Sequence, residues 1–353
     1  MTHLLDNPDF RKTIDPQDML GFVESFREQC VHGEALAREF ILPHLGEIDR
    51  VVVCGMGGSA IGGDLLRAYA NWKSPISIEI ARNYSMPHSV GLKTLVIVSS
   101  YSGNTEETLS AYEEAKERGA FIQAITTGGE ISRRCVEDGC PRLEIPSGYS
   151  PRAALGYSFL PLLVLFERWG WIENQTPKLA AMYKALEESQ KLYGFDVPYE
   201  ENPAKRMAEQ LKDSIPVIYA GQDAFQPVAV RWRSQFNENA KTFAHDSALP
   251  EMNHNEILGW SHPQETLKHL KAIYLLDEGY HPQTLKRFQA MKQILAASGT
   301  EILEWQSRGE GLLARMMSTI HFGDYVSVYL AYLYHQDPTP IPAIDYLKAE
   351  LAK

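Results

Sequence analysis

Cysteine is scarce in this chain: four residues (Cys30, Cys54, Cys135, Cys140) among 353. None belongs to a CxxC pair, and Cys135 and Cys140 stand five apart without histidines at zinc spacing. That excludes a disulfide framework and a zinc site, and leaves the expectation of reduced thiols in a cytoplasmic protein. Long apolar runs are missing too. Nothing approaches about 18 uninterrupted apolar residues, the length a membrane-spanning helix needs. The polar start MTHLLDNPDFRKTIDPQDM lacks the apolar core of a secretory signal. Positive charge is also short, 34 Lys and Arg against 45 Asp and Glu, for a net charge of −11. A nucleic-acid partner or an anionic membrane surface would call for a basic patch, so both are excluded. At first sight the same deficit weighs against an anionic small molecule.

What is present reads as a folded protein, 44% hydrophobic and 22% charged. At about 100–200 residues per domain, the length fits two domains or one long α/β unit. Residues 16–47 carry apolar residues at mixed three- and four-residue spacing, an amphipathic helical lead-in. Short apolar, β-branched runs follow at 51–54, 75–80, 94–98 and 120–125, alternating with helical patterns. Buried strands alternating with helices predict mostly parallel sheets covered on both faces, an α/β fold of three layers. Residues 153–212 are largely helical, and a second series of strands begins at 215–221 and continues at 267–276 and 300–305. Two α/β halves are therefore expected, 1–190 and 191–353.

Two strand-to-helix turns stand out. The first, Gly55-Met56-Gly57-Gly58-Ser59, resembles a dinucleotide-binding turn, but Ala60 occupies the place of the last glycine, and Glu79 could serve as ribose ligand. The second, Ser99-Ser100-Tyr101-Ser102-Gly103-Asn104-Thr105, sets the hydroxyls of Ser100, Ser102 and Thr105 around one glycine behind a fully apolar strand. Such a turn aims backbone N–H groups and hydroxyls at one spot, with a helix dipole behind them. It can hold a phosphate without lysine or arginine, at the carboxyl edge of a parallel sheet where ligands of α/β proteins bind. The plainer alternative is that Ser102 or Asn104 merely caps the helix.

The segment SSYSGNTEET resembles the signature of the SIS (sugar isomerase) fold, which binds phosphorylated sugars. With GMGGSAIGGD, PSGYSPRAALGY, FNENAK and PEMNHNEILGW added, the chain resembles the bifunctional phosphoglucose/phosphomannose isomerase family over most of its length. The resemblance implies two SIS domains in tandem, a homodimer, and phosphate held by Gly58, Ser59, Ser100, Ser102 and Thr105. It implies aldose–ketose isomerisation of glucose 6-phosphate, and of mannose 6-phosphate, to fructose 6-phosphate through a cis-enediol. That chemistry needs a base over C1 and C2, a ring-opening group and a stabiliser for the enediolate, and calls for no metal or redox cofactor.

By resemblance the base is Glu238 in FNENAK; Glu251 and Glu256 compete with it. His254, sixteen residues further on, matches the ring-opening histidine, which in the family reaches into the partner subunit's site. Histidine titrates near neutrality and so can give and take the ring proton. The NHNE context separates it from His245, His262, His269 and His281. Lys348 matches the family's lysine in the C-terminal helix, with Lys353 as a nearby rival, and Arg152 matches the arginine that stabilises the enediolate. Thr339 is the candidate hydroxyl for accepting either C2 epimer.

Other classes fit less well. A transcriptional sensor built on this fold would carry a helix-turn-helix domain and a basic face, and the acidic chain has no room for one before Val51. A glutamine-dependent synthase would carry cysteine behind the initiator methionine, where Thr2 stands. A non-catalytic sugar-phosphate sensor is the alternative that stays open.

Overall fold

A computed structural model describes residues 3–351 and Lys353. The chain opens with α1 (Pro8–Ile14) and α2 (Met19–Glu24). Next come α3 (Phe26–Glu39), β1 (Arg50–Cys54), α4 (Gly57–Ala70), β2 (Ser77–Ala81), β3 (Thr94–Ser99), α5 (Glu106–Glu117), β4 (Phe121–Thr126), α6 (Gly129–Asp138), β5 (Arg142–Glu144) and α7 (Leu155–Arg168). After α8 (Thr176–Tyr193) and α9 (Pro203–Leu211) a second series runs β6 (Ile215–Gly221), α10 (Gln226–Glu238), β7 (His245–Leu249), α11 (Gln264–Leu267), β8 (Leu270–Leu276), α12 (Pro282–Ala297), β9 (Glu301–Gln306), α13 (Gly311–Leu333) and α14 (Pro342–Leu351). Both sheets are wholly parallel and flanked by helices, the α/β architecture expected.

The contacts form two compact units. One is Ser25–Tyr183; the other joins the segment ending at Glu24 to Lys184–Lys353. This differs from a division into 1–190 and 191–353: the change of unit falls inside α8, and the N-terminal segment belongs with the C-terminal one. The anchors are buried polar pairs far apart in sequence. The Lys205 ammonium, fully buried, donates to Asp6 (2.8 Å) and to the carbonyls of Phe195 (2.7 Å) and Val197 (2.8 Å). The Tyr332 hydroxyl donates to Asp15 (2.8 Å), whose carboxylate also takes the Met19 and Leu20 N–H groups.

In the Ser25–Tyr183 unit the strand order is β2-β1-β3-β4-β5. The chain leaves β1 toward β2 and returns to β3 on the other side, so the switch point lies between β1 and β3. All six residues of β3 are buried, as are the last four of β1, which accounts for their unbroken apolar runs. Helix α7 is buried from Leu155 to Phe166, although Pro161 lies inside it. Edge strand β5 is not visible in the sequence; at three residues it carries no readable period.

In the other unit the order is β7-β6-β8-β9, with its switch point between β6 and β8. Edge strand β7, HDSAL, is equally hidden in the sequence because only its last two residues are buried. Helix α13 is buried from Met316 to Leu333 and carries charge inside. Asp324 takes Nε–H and Nη2–H of Arg231 (3.1 and 2.6 Å) and the Gln235 amide (3.0 Å). Burial pushes the Asp324 carboxyl up while Arg231 opposes it.

One turn earlier, His321 is fully buried, and its Nε2–H donates to the Val23 carbonyl (2.9 Å). Burial pulls its pKa from 6.5 down to about 4. The unfolded chain therefore binds a proton near pH 6.5 that the folded chain refuses until about pH 4. Stability from this group is present above pH 6.5 and is lost as pH falls to about 4, to the extent of roughly 3 kcal/mol. Urea unfolding between pH 7 and 4 should show that slope, and His321→Gln, which keeps the donor to Val23, should flatten it. An equal slope in both proteins would refute the assignment.

Candidate functional site

The site in the Ser25–Tyr183 unit is built at the β1/β3 switch point. Helices α4 and α5 begin there, and neither N-cap residue, Met56 nor Thr105, takes the cap bond with its own side chain. In α4 the Ser59 N–H bonds the Met56 carbonyl (3.0 Å), and the helix starts nonetheless present their N–H groups and dipoles to the opening. The proposed caps act otherwise. Asn104 accepts from the Glu130 N–H in the first turn of α6 (2.9 Å), and Ser102 accepts from the Asn104 N–H (3.3 Å), so neither caps α5.

The structure knits the two loops together. The Ser59 hydroxyl accepts the Tyr101 N–H (3.2 Å), and Ser99 donates to the Ser59 carbonyl (3.2 Å). Ser100 and Thr105 share a hydroxyl bond (3.2 Å), and Ser102 is exposed at the mouth. Gly103, at φ +68°, lies so close to the α6 loop that a Cβ would collide with the Gly128 carbonyl oxygen. A Cβ on Gly58 would sit 2.6 Å from the Pro151 oxygen and 3.1 Å from the Arg152 N. The segment bearing Arg152 therefore rests directly on the first loop. Arg152 is 3% exposed, so its side chain is buried, on a backbone that lies against the first loop. Gly58, Ser59, Ser100, Ser102, Thr105 and Arg152 are thus one cluster.

The remaining candidates lie in the other unit. Glu238 ends α10, half-buried, in a cleft of about 380 Å³ lined also by Arg233, Ser234, Asn237, Phe243 and His245. Its neighbours in the motif hold the helix end. Asn239, buried, donates to Ser327 (2.9 Å). Lys241 donates to the carbonyls of Glu238 (2.9 Å), Asn239 (3.3 Å), Asp337 (3.1 Å) and Pro338 (2.9 Å). The lysine of the motif thus fixes where Glu238 stands.

Of the rival carboxylates, Glu256 is committed: it accepts the Tyr219 hydroxyl (2.5 Å) and lies 3.6 Å from His245. Burial first, then this carboxylate, drives the Tyr219 pKa well up. Glu251 and His254 are exposed on one short 3₁₀ helix, Glu251–His254. Lys348 is exposed on α14, which has no buried residue among those described. The Thr339 N–H donates to Asp337 (2.9 Å), on the same turn that Lys241 grips.

The second sheet has an equivalent switch point, but it is filled from within. The Tyr280 hydroxyl accepts the Gly221 N–H (2.9 Å) and donates to the Leu275 carbonyl (2.9 Å), and its ring lies 2.5 Å from where a Gly221 Cβ would be. Asp277 takes Ser307 (2.6 Å), the Gly279 N–H (2.8 Å) and Arg315 (2.7 Å). Where the first half presents SYSG, the second presents DEGY, a difference visible in the sequence once the halves are aligned by topology.

Comparison with known proteins shows the family and the fold. Residues 200–351 match the family described as bacterial phospho-glucose isomerase C-terminal SIS domain. A bifunctional phosphoglucose/phosphomannose isomerase of Caldicellulosiruptor bescii is 45% identical over 87% of this chain and 91% of its own. One from Aquifex aeolicus is 36% identical over 96% of this chain and 99% of its own. Among solved structures, a glucose-6-phosphate isomerase-like protein of Thermus thermophilus shares the fold. It superposes with a TM-score of 0.64 at 19% identity, covering 96% of this chain and 98% of that one.

The tight seat of the Arg152 segment is testable. Gly58→Ala should displace the backbone of residues 151–152 and destabilise by about 1–3 kcal/mol, read as a lower urea midpoint. Gly91→Ala, where a Cβ meets nothing within 4 Å, should change little. Equal midpoints for the two variants would mean that the contact at Gly58 is not tight.

Proposed function

This chain belongs to the bifunctional phosphoglucose/phosphomannose isomerase family, and from that premise we propose that it interconverts glucose 6-phosphate and mannose 6-phosphate with fructose 6-phosphate. The observation that carries the reading is the cradle at the β1/β3 switch point, with two helix starts not capped by their own N-cap side chains, a Ser100–Thr105 hydroxyl pair, and the backbone of a buried arginine packed against Gly58. The phosphate of the sugar takes the N–H groups at the start of α4 and α5 and the hydroxyls of Ser59, Ser100, Ser102 and Thr105. His254 and Lys348 act on the ring oxygen and O1, opening the hemiacetal.

Glu238 then takes the proton from C2. Electrons move toward the C1 carbonyl, whose oxygen gains a proton as O2 loses one, and the resulting cis-enediol passes through an anion that Arg152 stabilises. Return of the proton to C1 completes the ketose, with no net change in electrons. The glutamate is held by its helix end: four carbonyls, including its own, converge on Lys241, so the backbone that carries the carboxylate is fixed before substrate arrives. Thr339, on the turn that Lys241 grips, is the hydroxyl offered to either C2 epimer.

The working form in this reading is a homodimer in which His254 of one subunit completes the site of the other. Two exposed features support it. His254 sits close in sequence to Leu258, itself 76% exposed, and α14 displays Ile344, Leu347 and Leu351 at i, i+3, i+7 spacing with none of them buried. A cytoplasmic setting is supported by four free cysteines. No helix among the described residues is long and apolar enough to cross a membrane.

A coupled assay with each hexose phosphate tests the reading. Glu238→Gln should lower kcat by about 10²–10⁴-fold, and unchanged turnover would remove Glu238 from the base role. Ser102→Ala with Thr105→Val should raise KM, at about 1.5–3 kcal/mol for hydrogen bonds to a charged group; an unaffected KM would place the phosphate elsewhere. Tight sugar-phosphate binding without turnover in the unmodified protein would instead favour a non-catalytic sensor.

A further inference from the structure

We propose that Tyr101 is a positioning residue for Arg152, its hydroxyl tying the turn that leads to the arginine onto the phosphate-holding loop. The inference rests on the isomerase reading and adds to it a residue that touches neither phosphate nor sugar carbon. In sequence Tyr101 is only the spacer between two serines of SYSG.

In the structure the Tyr101 O–H donates to the Pro146 carbonyl (3.1 Å) and accepts the Tyr149 N–H (2.9 Å). These are the first and last residues of the segment 146–149, which bends at Gly148 and Tyr149. In an ordinary β-turn that carbonyl and that N–H would bond to each other. Here the phenol hydroxyl stands between them, so the turn is closed by a side chain from another loop. Gly148, at φ +99°, makes the reversal. Three residues after the turn comes Arg152, in a 3₁₀ helix that local backbone bonds hold rigid against Ser150 and Pro151.

Tyr101 is itself fixed. Its N–H is held by Ser59 (3.2 Å), and its carbonyl takes the Thr127 N–H (3.1 Å) and hydroxyl (2.7 Å). Beyond the turn, Tyr149 packs edge-on against buried Tyr157, with ring centroids 5.5 Å apart. Burial raises the Tyr101 phenol above its ordinary value. The arginine segment is therefore gripped from both phosphate loops, by Gly58 from the β1 loop and by Tyr101 from the β3 loop. A phosphate seated in the cradle then finds the enediolate-stabilising cation already in register, which lowers the barrier rather than tightening binding.

Tyr101→Phe removes one oxygen and keeps the ring, so folding is preserved. Read by amide hydrogen exchange without substrate, the variant should lose protection at the Tyr149 N–H; retained protection would overturn the proposal. In the hexose phosphate assay, kcat should fall about ten-fold, the size expected for one or two hydrogen bonds, with KM within about two-fold. Introduced into Arg152→Lys, the same substitution should cost little further, because its effect runs through the arginine. A rise in KM at unchanged kcat, or the full loss repeated in Arg152→Lys, would overturn it. Absence of turnover in the unmodified protein would count against the isomerase reading itself, while the Tyr149 exchange result would still report on the tie.

Discussion

The first turn of an α-helix leaves backbone N–H groups with no partner inside the helix, and in this protein two such helix starts are set side by side. Parallel strands need crossover connections, and β1 and β3 are each followed by a helix; at the point where strand order reverses, these helices run to opposite faces of the sheet. The N–H groups of α4 and α5 meet at the opening between them. Everything around that opening serves to keep it polar and shaped: Ser59 braces the Tyr101 backbone, Ser100 engages Thr105, and Gly58 lets the Pro151–Arg152 backbone approach closer than any side chain would permit. An acidic chain can therefore hold an anion, because the positive end of the site is made of backbone dipoles rather than lysine.

The second half uses the same topology and closes it. Tyr280 fills the space beside Gly221 that a ligand would take, and Asp277 brings in Arg315 to satisfy itself. What this half supplies instead is a rigid helix end. Lys241 collects carbonyls from both Glu238–Asn239 and Asp337–Pro338, so the glutamate is held against the turn that carries Thr339. Within the motif FNENAK, Asn239 and Lys241 hold the helix end on which the proposed base, Glu238, stands.

The alternation of buried strands and helices was legible in the sequence because a strand covered on both faces is mostly apolar; β1 and β3 carry unbroken apolar runs through their centres, and β4 is interrupted only by Gln123 before Thr126. The edge strands β5 and β7 were not legible, since an edge strand has one solvated side and these are short. The N-terminal helices were readable as helices but not as part of the C-terminal unit. Their attachment depends on Asp6 finding Lys205 and Asp15 finding Tyr332, pairs separated by about two to three hundred residues with no local signature.

Residue types at the site follow the same division. The hydroxyl and glycine pattern at 100–105 pointed from the sequence to a phosphate cradle, because such a turn offers N–H groups and hydroxyls without cations; Glu238 stood out only through the family motif around it. The sequence also determined the α/β class, through the length and burial of its apolar runs. Which hydroxyl braces the loop and which faces outward, why Glu256 is unavailable as a base, and why Tyr101 matters at all were decided only by tertiary structure. Each of those depends on what a side chain meets from a distant segment, and hydrogen bonds act over about 3 Å of space whatever the distance along the chain.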